Sequence, residues 1–197
     1  MKKIVIASSN PGKLRELTSL LSDLKVTVVP QSDFMIPDAE ETGATFVANA
    51  LIKARHAAAL AGLPAIADDS GLVVDALGGR PGVYSARYAG ENASDAQNID
   101  KLLEEMRNIA DSDRGAAFHC AACFVMPDNG ETLIAEGSWR GVIARQRRGV
   151  GGFGYDPVFV DALLGVSSAE LGTEEKNRRS HRGKAFAELV RQIKCRQ

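Results

Sequence analysis

The chain has 197 residues, 45% of them hydrophobic and 25% charged, with 24 Lys and Arg against 25 Asp and Glu. That length suits one domain over residues 1–197, and the composition excludes disordered and collagen-like chains. A net charge of −1 argues against loose duplex binding, and no apolar run approaches the roughly 18 residues of a membrane span.

Lys3–Ala7 reads as the first strand. The leader-like start M-K-K-I-V-I-A stops at Ser8-Ser9-Asn10, short of the roughly 7–15 residue core of a secretory signal, so a cytoplasmic location is expected. Asn10 then caps a helix that has Pro11 at its first position and Leu14, Leu17 and Leu21 as its buried stripe. Val26–Val29 is the second predicted strand, and Thr42 to Ala61 is an Ala-rich helix closed by Gly62 and Pro64. Ala65–Ala67 and Leu72–Val74 read as short strands on either side of a D-D-S-G turn. A helix follows from Ser94 to Ile109, with Ile99, Leu102, Leu103 and Met106 on one side. Phe118–Met126 and Thr132–Ala135 flank P-D-N-G, a hairpin signal. After a Gly-rich stretch come a strand at Val158–Val160 and a last helix from about Ser180 that buries Ala185, Phe186, Leu189 and Ile193. Interleaved strands and helices with one hairpin define an α/β protein with a mixed sheet.

Three cysteines exclude a disulfide scaffold. His119 precedes a C-x-x-C, but Cys120 and Cys123 lie in a predicted strand, where residues three apart face opposite sides. Both thiols are therefore packing residues.

Five segments are candidates for chemistry. Ser8, Ser9, Asn10, Pro11, Gly12 and Lys13 place free helix-end N–H groups and a lysine where a phosphate binds, although the P-loop spacing is absent; a capped helix with an exposed lysine explains the segment equally well. Thr42, Thr45, Asn49 and Lys53 stack on one face of the predicted helix, downstream of Glu40-Glu41. Asp68-Asp69-Ser70-Gly71 puts paired carboxylates at a strand end, a hard-oxygen set suited to Mg²⁺ rather than zinc; an ordinary Asx-turn is the alternative. Gly149 to Asp156 satisfies G-x-G-x-x-G but precedes a strand, so Phe153 and Tyr155 read as a stacking surface for a base, or the segment as a mobile loop. The basic run Glu174 to Arg182 is surface charge or an anion patch, with Ser180 aiming His181 and Arg182 from the last helix.

Together, S-S-N-P-G-K, E-E-T-G-A-T-F-x-x-N-A, A-D-D-S-G-L, P-G-V-Y-S-A-R-Y, G-G-F-G-Y-D-P and S-H-R, in that order, resemble the inosine/xanthosine triphosphate pyrophosphatases, the house-cleaning purine nucleoside triphosphatases. The likeness covers nearly the whole chain. It departs at Asp161-Ala162-Leu163-Leu164-Gly165, where the family more often has a proline before the glycine. The resemblance implies an elongated mixed sheet flanked by helices, in two lobes with a substrate cleft between them, and a homodimer. It implies Mg²⁺-dependent hydrolysis of ITP, dITP and XTP to the nucleoside monophosphate and pyrophosphate, with a small-molecule purine nucleotide as partner and no nucleic acid or membrane.

By the same resemblance Ser8 to Lys13 hold the triphosphate and Lys53 adds a second cation. Glu41 and Asp69 hold the metal, Asp69 or Asp68 with a low pKa takes a proton from water, and Ser70 faces substrate. Phe153, Gly154, Tyr155, Asp156, Lys176, His181 and Arg182 form the base pocket, with Arg182 donating to O6 and N7. The rivals are a pyrophosphatase for modified pyrimidine or methylated nucleotides on a related fold, and a nucleotide-sensing module that does not hydrolyse. The near-zero charge also hides an asymmetry: 12 Lys and Arg stand against 19 Asp and Glu before residue 140, and 12 against 6 from there on.

Overall fold

The computed structural model describes residues 3–128 and 130–196. Its strands are β1 (Lys3–Ile6), β2 (Thr27–Pro30), β3 (Ala65–Val74), β4 (Gly115–Val125), β5 (Thr132–Ile143) and β6 (Phe159–Asp161). Its helices are α1 (Pro11–Leu20), α2 (Phe46–Ala61), α3 (Asp95–Glu105), α4 (Thr173–Arg179) and α5 (His181–Lys194). The strands form one six-stranded sheet in the order β2-β1-β3-β4-β5-β6. β1 runs parallel to β2, with Val5 opposite Val29, and parallel to β3, with Val5 opposite Ala65. β5 and β6 are antiparallel, with Gly141 opposite Asp161. β4 and β5 are neighbours joined only by residues 126–131, too short for a parallel crossover. The sheet is mixed, as expected. In the P-D-N-G hairpin signal, Asn129 lies outside the described residues.

Two expected boundaries are corrected. The D-D-S-G segment is not a turn: β3 runs unbroken from Ala65 to Val74. The Ala-rich helix begins at Phe46, because the Thr45 side chain accepts the Ala48 N–H and caps it there, so Thr42 precedes the helix and shares no face with Lys53. The segment read as a basic run contains the short helix α4, and Ser180 closes it, its N–H bonded to the Lys176 carbonyl.

The chain divides into two compact units, residues 1–69, 120–137 and 181–197 in one, 70–119 and 138–180 in the other. In the first unit, Ile4, Ile6, Ile66, Cys120 and Phe124 face one side and pack with Leu17, Leu21, Phe186 and Leu189 of α1, its C-cap and α5. Val5, Ala65, Ala67, Ala121 and Cys123 face the other side and pack on Ala50, Ala54 and Ala57 of α2. Cys120 and Cys123 thus sit in opposite layers, as strand parity requires, and all three cysteines are free. In the second unit, Leu72, Ile99, Leu102 and Met106 surround an aromatic group in which Phe159 lies 4.5 Å from Phe118 and 5.1 Å from Trp139.

Candidate active site

The loop from β1 to α1 folds as its sequence dictates. Asn10 Oδ1 accepts the Lys13 N–H at 3.0 Å, Ser8 Oγ accepts the Asn10 N–H at 3.2 Å, and Pro11 opens the helix. Ser9 and Asn10 are exposed, whereas Gly12 is buried. From the first turn, Lys13 Nζ reaches Asp68 Oδ2 at 3.2 Å.

Because β3 is continuous, its adjacent aspartates leave on opposite faces. Asp68 follows Ile66 toward the α1 and α5 side and is buried between Lys13 and Arg182, whose Nε is 3.2 Å from Asp68 Oδ2. Asp69 follows Ala67 toward α2, where Oδ1 meets Lys53 Nζ at 3.1 Å and Oδ2 accepts the Asn49 carboxamide at 3.2 Å. Lys53 also holds Glu41 Oε1 at 2.7 Å. Ser70 continues the strand, half-buried.

These environments separate the two carboxyls. Burial alone would raise Asp68, but Lys13, Arg182 and Lys53 outweigh it and hold its pKa well below the usual carboxylate range. Asp69 moves the other way: burial raises it, Glu41 adds to the rise, and Lys53 and Lys13 only partly offset them. The low pKa expected of either aspartate therefore belongs to Asp68 alone. Burial opposes the charge on Lys53, but Asp69, Asp68 and Glu41 overcome it and lift its pKa, so it is a fixed cation.

Among the described residues, no group of three or more His, Cys, Asp or Glu is placed to hold a metal. Glu41 and Asp69 instead point one oxygen each at a single ammonium group. Two convergent carboxylates fit a hard divalent cation that draws its other ligands from water or phosphate.

Of the residues assigned to a base pocket, Phe153, Asp156 and Lys176 come together. Asp156 is buried; its Oδ2 accepts the Phe153 N–H at 2.9 Å and meets Lys176 Nζ at 2.6 Å, and its Oδ1 accepts the Ser168 hydroxyl at 2.8 Å. The Lys176 ammonium lies 5.0 Å from the Phe153 ring centroid. Gly152 permits this closure with φ +74°, since a Cβ there would come 2.1 Å from Asp156 Oδ2. The Gly154 N–H donates to Asp95 at 2.6 Å. Tyr155 is corrected: its ring is buried in the core and its hydroxyl donates to the Ser85 carbonyl, so it offers no stacking face. His181 opens α5 and is buried. Arg182 is also buried, with Nε on Asp68 and Nη1 on Glu16, so those two groups are not open to read a base.

Sequence reasoning passed over Glu16 and gave Asn49 only a place in a stripe. The available signal for Glu16 was its position three residues after Lys13, on the same helix face.

An α/β sheet with a capped β1–α1 loop, a buried lysine–carboxylate cluster and a separate aromatic–lysine group defines the class. The chain belongs to the Ham1 family, whose profile matches residues 4–192. It is 58% identical over 196 residues to the dITP/XTP pyrophosphatase of Methylococcus capsulatus, covering 98% of this chain and 97% of that one. With the dITP/XTP pyrophosphatase of Pectobacterium atrosepticum it shares 54% identity over 191 residues, 96% and 97% of the two chains. Among solved structures it resembles a HAM1 protein from Coxiella burnetii, with a TM-score of 0.89, 51% identity and coverage of 98% of this chain and 99% of that one.

Proposed function

We propose that this protein hydrolyses deaminated purine nucleoside triphosphates (ITP, dITP and XTP) to the monophosphate and pyrophosphate, clearing them from the nucleotide pool. Relatives named dITP/XTP pyrophosphatase, alike over nearly the full chain, support the substrate class. The observation that carries the reading is the cluster of Glu41, Lys53 and Asp69 on one side of β3, with Lys13 and Asp68 on the other.

In this reading Ser8 to Lys13 hold the phosphates with helix-end N–H groups and the Lys13 charge. Mg²⁺, when bound by Glu41 and Asp69, supplies charge neutralisation to the triphosphate. Asp69 accepts the proton of the attacking water. The water oxygen bonds to the α-phosphorus while the bond to the bridging oxygen breaks, and pyrophosphate leaves. Asp68, held ionised between Lys13 and Arg182, fixes the two cations rather than moving a proton. Phe153 and Lys176 face the base, and Gly154 adds backbone.

Inosine and guanine share O6 and N7, so rejection of GTP falls to C2, where an unpaired guanine amino group loses roughly 1–3 kcal/mol. A homodimer belongs to the same reading through the family resemblance, and light scattering tests it. Free thiols at all three cysteines support a cytoplasmic location, and no helix among the described residues is long and apolar enough to cross a membrane.

The test is a screen of nucleoside triphosphates with Mg²⁺ or EDTA, reading pyrophosphate against phosphate. Pyrophosphate from ITP, dITP and XTP, lost in EDTA, is expected. Phosphate as the product, or equal kcat/KM for ITP and GTP, would overturn the reading.

A further inference from the structure

We infer that Asn49 is a positioning residue for the acidic pair: its carboxamide ties the turn that follows Glu41 to Asp69 and so sets how the two carboxylates face each other. The inference rests on the reading of Glu41 and Asp69 as cation ligands and names what holds them in place. Asn49 is fully buried on the first turn of α2. Its Oδ1 accepts the Gly43 N–H at 2.7 Å, and its Nδ2 donates to Asp69 Oδ2 at 3.2 Å. The amide orientation is dictated by these partners, since a backbone N–H only donates and an ionised carboxylate only accepts. Neither Asp nor Leu, both of similar size, can satisfy the two together.

Lys53 lies one helical turn further on and takes the other Asp69 oxygen together with Glu41. The contacts close a ring through Gly43, Asn49, Asp69, Lys53, Glu41 and the chain back to Gly43. Asn49 engages Oδ2 of Asp69, which leaves Oδ1 on Lys53. Gly43 is part of the device: a Cβ there would lie 2.6 Å from Asn49 Oδ1 and 2.7 Å from the Ala48 Cβ. Any side chain at 43 pushes the turn off the amide. Removal of a partner that orients a metal ligand typically weakens metal affinity about 10–100-fold.

The experiment measures Mn²⁺ binding to the nucleotide-free protein by electron paramagnetic resonance, with Tm and the Mg²⁺ concentration for half-maximal pyrophosphate release alongside. Asn49→Leu and Gly43→Ala should each weaken Mn²⁺ binding about tenfold or more and raise the Mg²⁺ requirement by a similar factor. Because both break one link, the double variant should bind no more weakly than the weaker single. A merely structural Asn49 would lower Tm and leave the Mn²⁺ affinity of the folded protein unchanged, which overturns the proposal; so does additive weakening in the double variant. If Asn49→Leu does not fold, Gly43→Ala alone decides by the same affinity criterion. Wild-type protein that binds no Mn²⁺ refutes the cation reading itself, whereas normal wild-type binding with unaltered variants refutes only the role of Asn49.

Discussion

Asp68 and Asp69 receive different environments because a strand turns successive side chains to opposite faces. Asp68 is pinned between Lys13 and Arg182, whereas burial and Glu41 leave Asp69 the more basic of the two. Asp69→Asn keeps the size and the Lys53 contact but removes the proton acceptor. Pyrophosphate release should fall about 10²–10⁴-fold while nucleotide binding, measured by calorimetry, survives; turnover at the wild-type rate would remove Asp69 from that role. Asp161 shows a carboxylate used only for structure. It accepts the Trp139 indole N–H at 2.7 Å and the N–H groups of Leu163 and Leu164 at 2.7 and 2.8 Å. Burial would raise its pKa, but these donors outweigh it and lower the value. A depressed folded-state pKa gives stability that is present above the unfolded value and lost as pH falls through the folded one. Asp161→Asn sets an amide donor against one of these N–H groups and should cost about 1–3 kcal/mol at pH 7. The Tm gap between variant and wild type should narrow steadily below about pH 4; a gap independent of pH would contradict the ionised form of Asp161.

Local chemistry made some elements legible and hid others. Asn10-Pro11 names a helix start because cap and first-turn preferences act within four residues, and α1 begins there. A short apolar run likewise placed β1, which is buried from Ile4 to Ile6, and helical spacing placed the buried face of α5. D-D-S-G misled because adjacent acids and a glycine carry turn chemistry by composition. The segment instead lies within β3, between β1 and β4, and its carboxylates meet Lys13, Lys53 and Arg182 from distant positions that spacing cannot reveal. Tyr155 misled for a related reason, as only the fold shows its hydroxyl reaching Ser85. The seating of α5 was equally hidden. Gly137 on β5 lets the first turn of α5 approach, because a Cβ there would lie 2.2 Å from the His181 carbonyl oxygen and 2.7 Å from the Ala185 nitrogen. Gly137→Ala should therefore shift that turn, cost about 1–3 kcal/mol of stability as overpacking does, and loosen the hold of Arg182 on Asp68. Thermal unfolding together with KM for ITP checks this: an unchanged Tm means that the helix was not seated by the glycine.

The groups proposed for phosphate and the aromatic–lysine group proposed for the base fall in different compact units. Ser8 to Lys13, Glu41, Asn49, Lys53, Asp68 and Asp69 all belong to the first, so every group assigned to phosphate or cation lies there. Phe153, Asp156 and Lys176 belong to the second, where Asp156 secures the backbone of one and the ammonium of the other. The charge asymmetry along the sequence is too coarse a guide to this division, because Lys13 and Lys53 lie in the acidic part and Asp156 in the basic one. If phosphate and base are recognised by separate groups, substitutions should sort by ligand rather than by severity. Lys13→Ala should weaken pyrophosphate, ITP and GTP by a similar factor, since the triphosphate is common to both nucleotides. Phe153→Ala should leave pyrophosphate affinity unchanged and weaken nucleotides by about 1–3 kcal/mol, the usual loss of an aromatic ring stacked on a base. Lys176→Met, which leaves Asp156 without its cation, should lower Tm as well as change the ratio of kcat/KM for ITP and GTP. Inhibition by pyrophosphate, measured beside nucleotide kcat/KM for all three variants, decides the matter. A Phe153→Ala protein that loses pyrophosphate and nucleotide equally would show that its ring supports the whole site and does not single out the base.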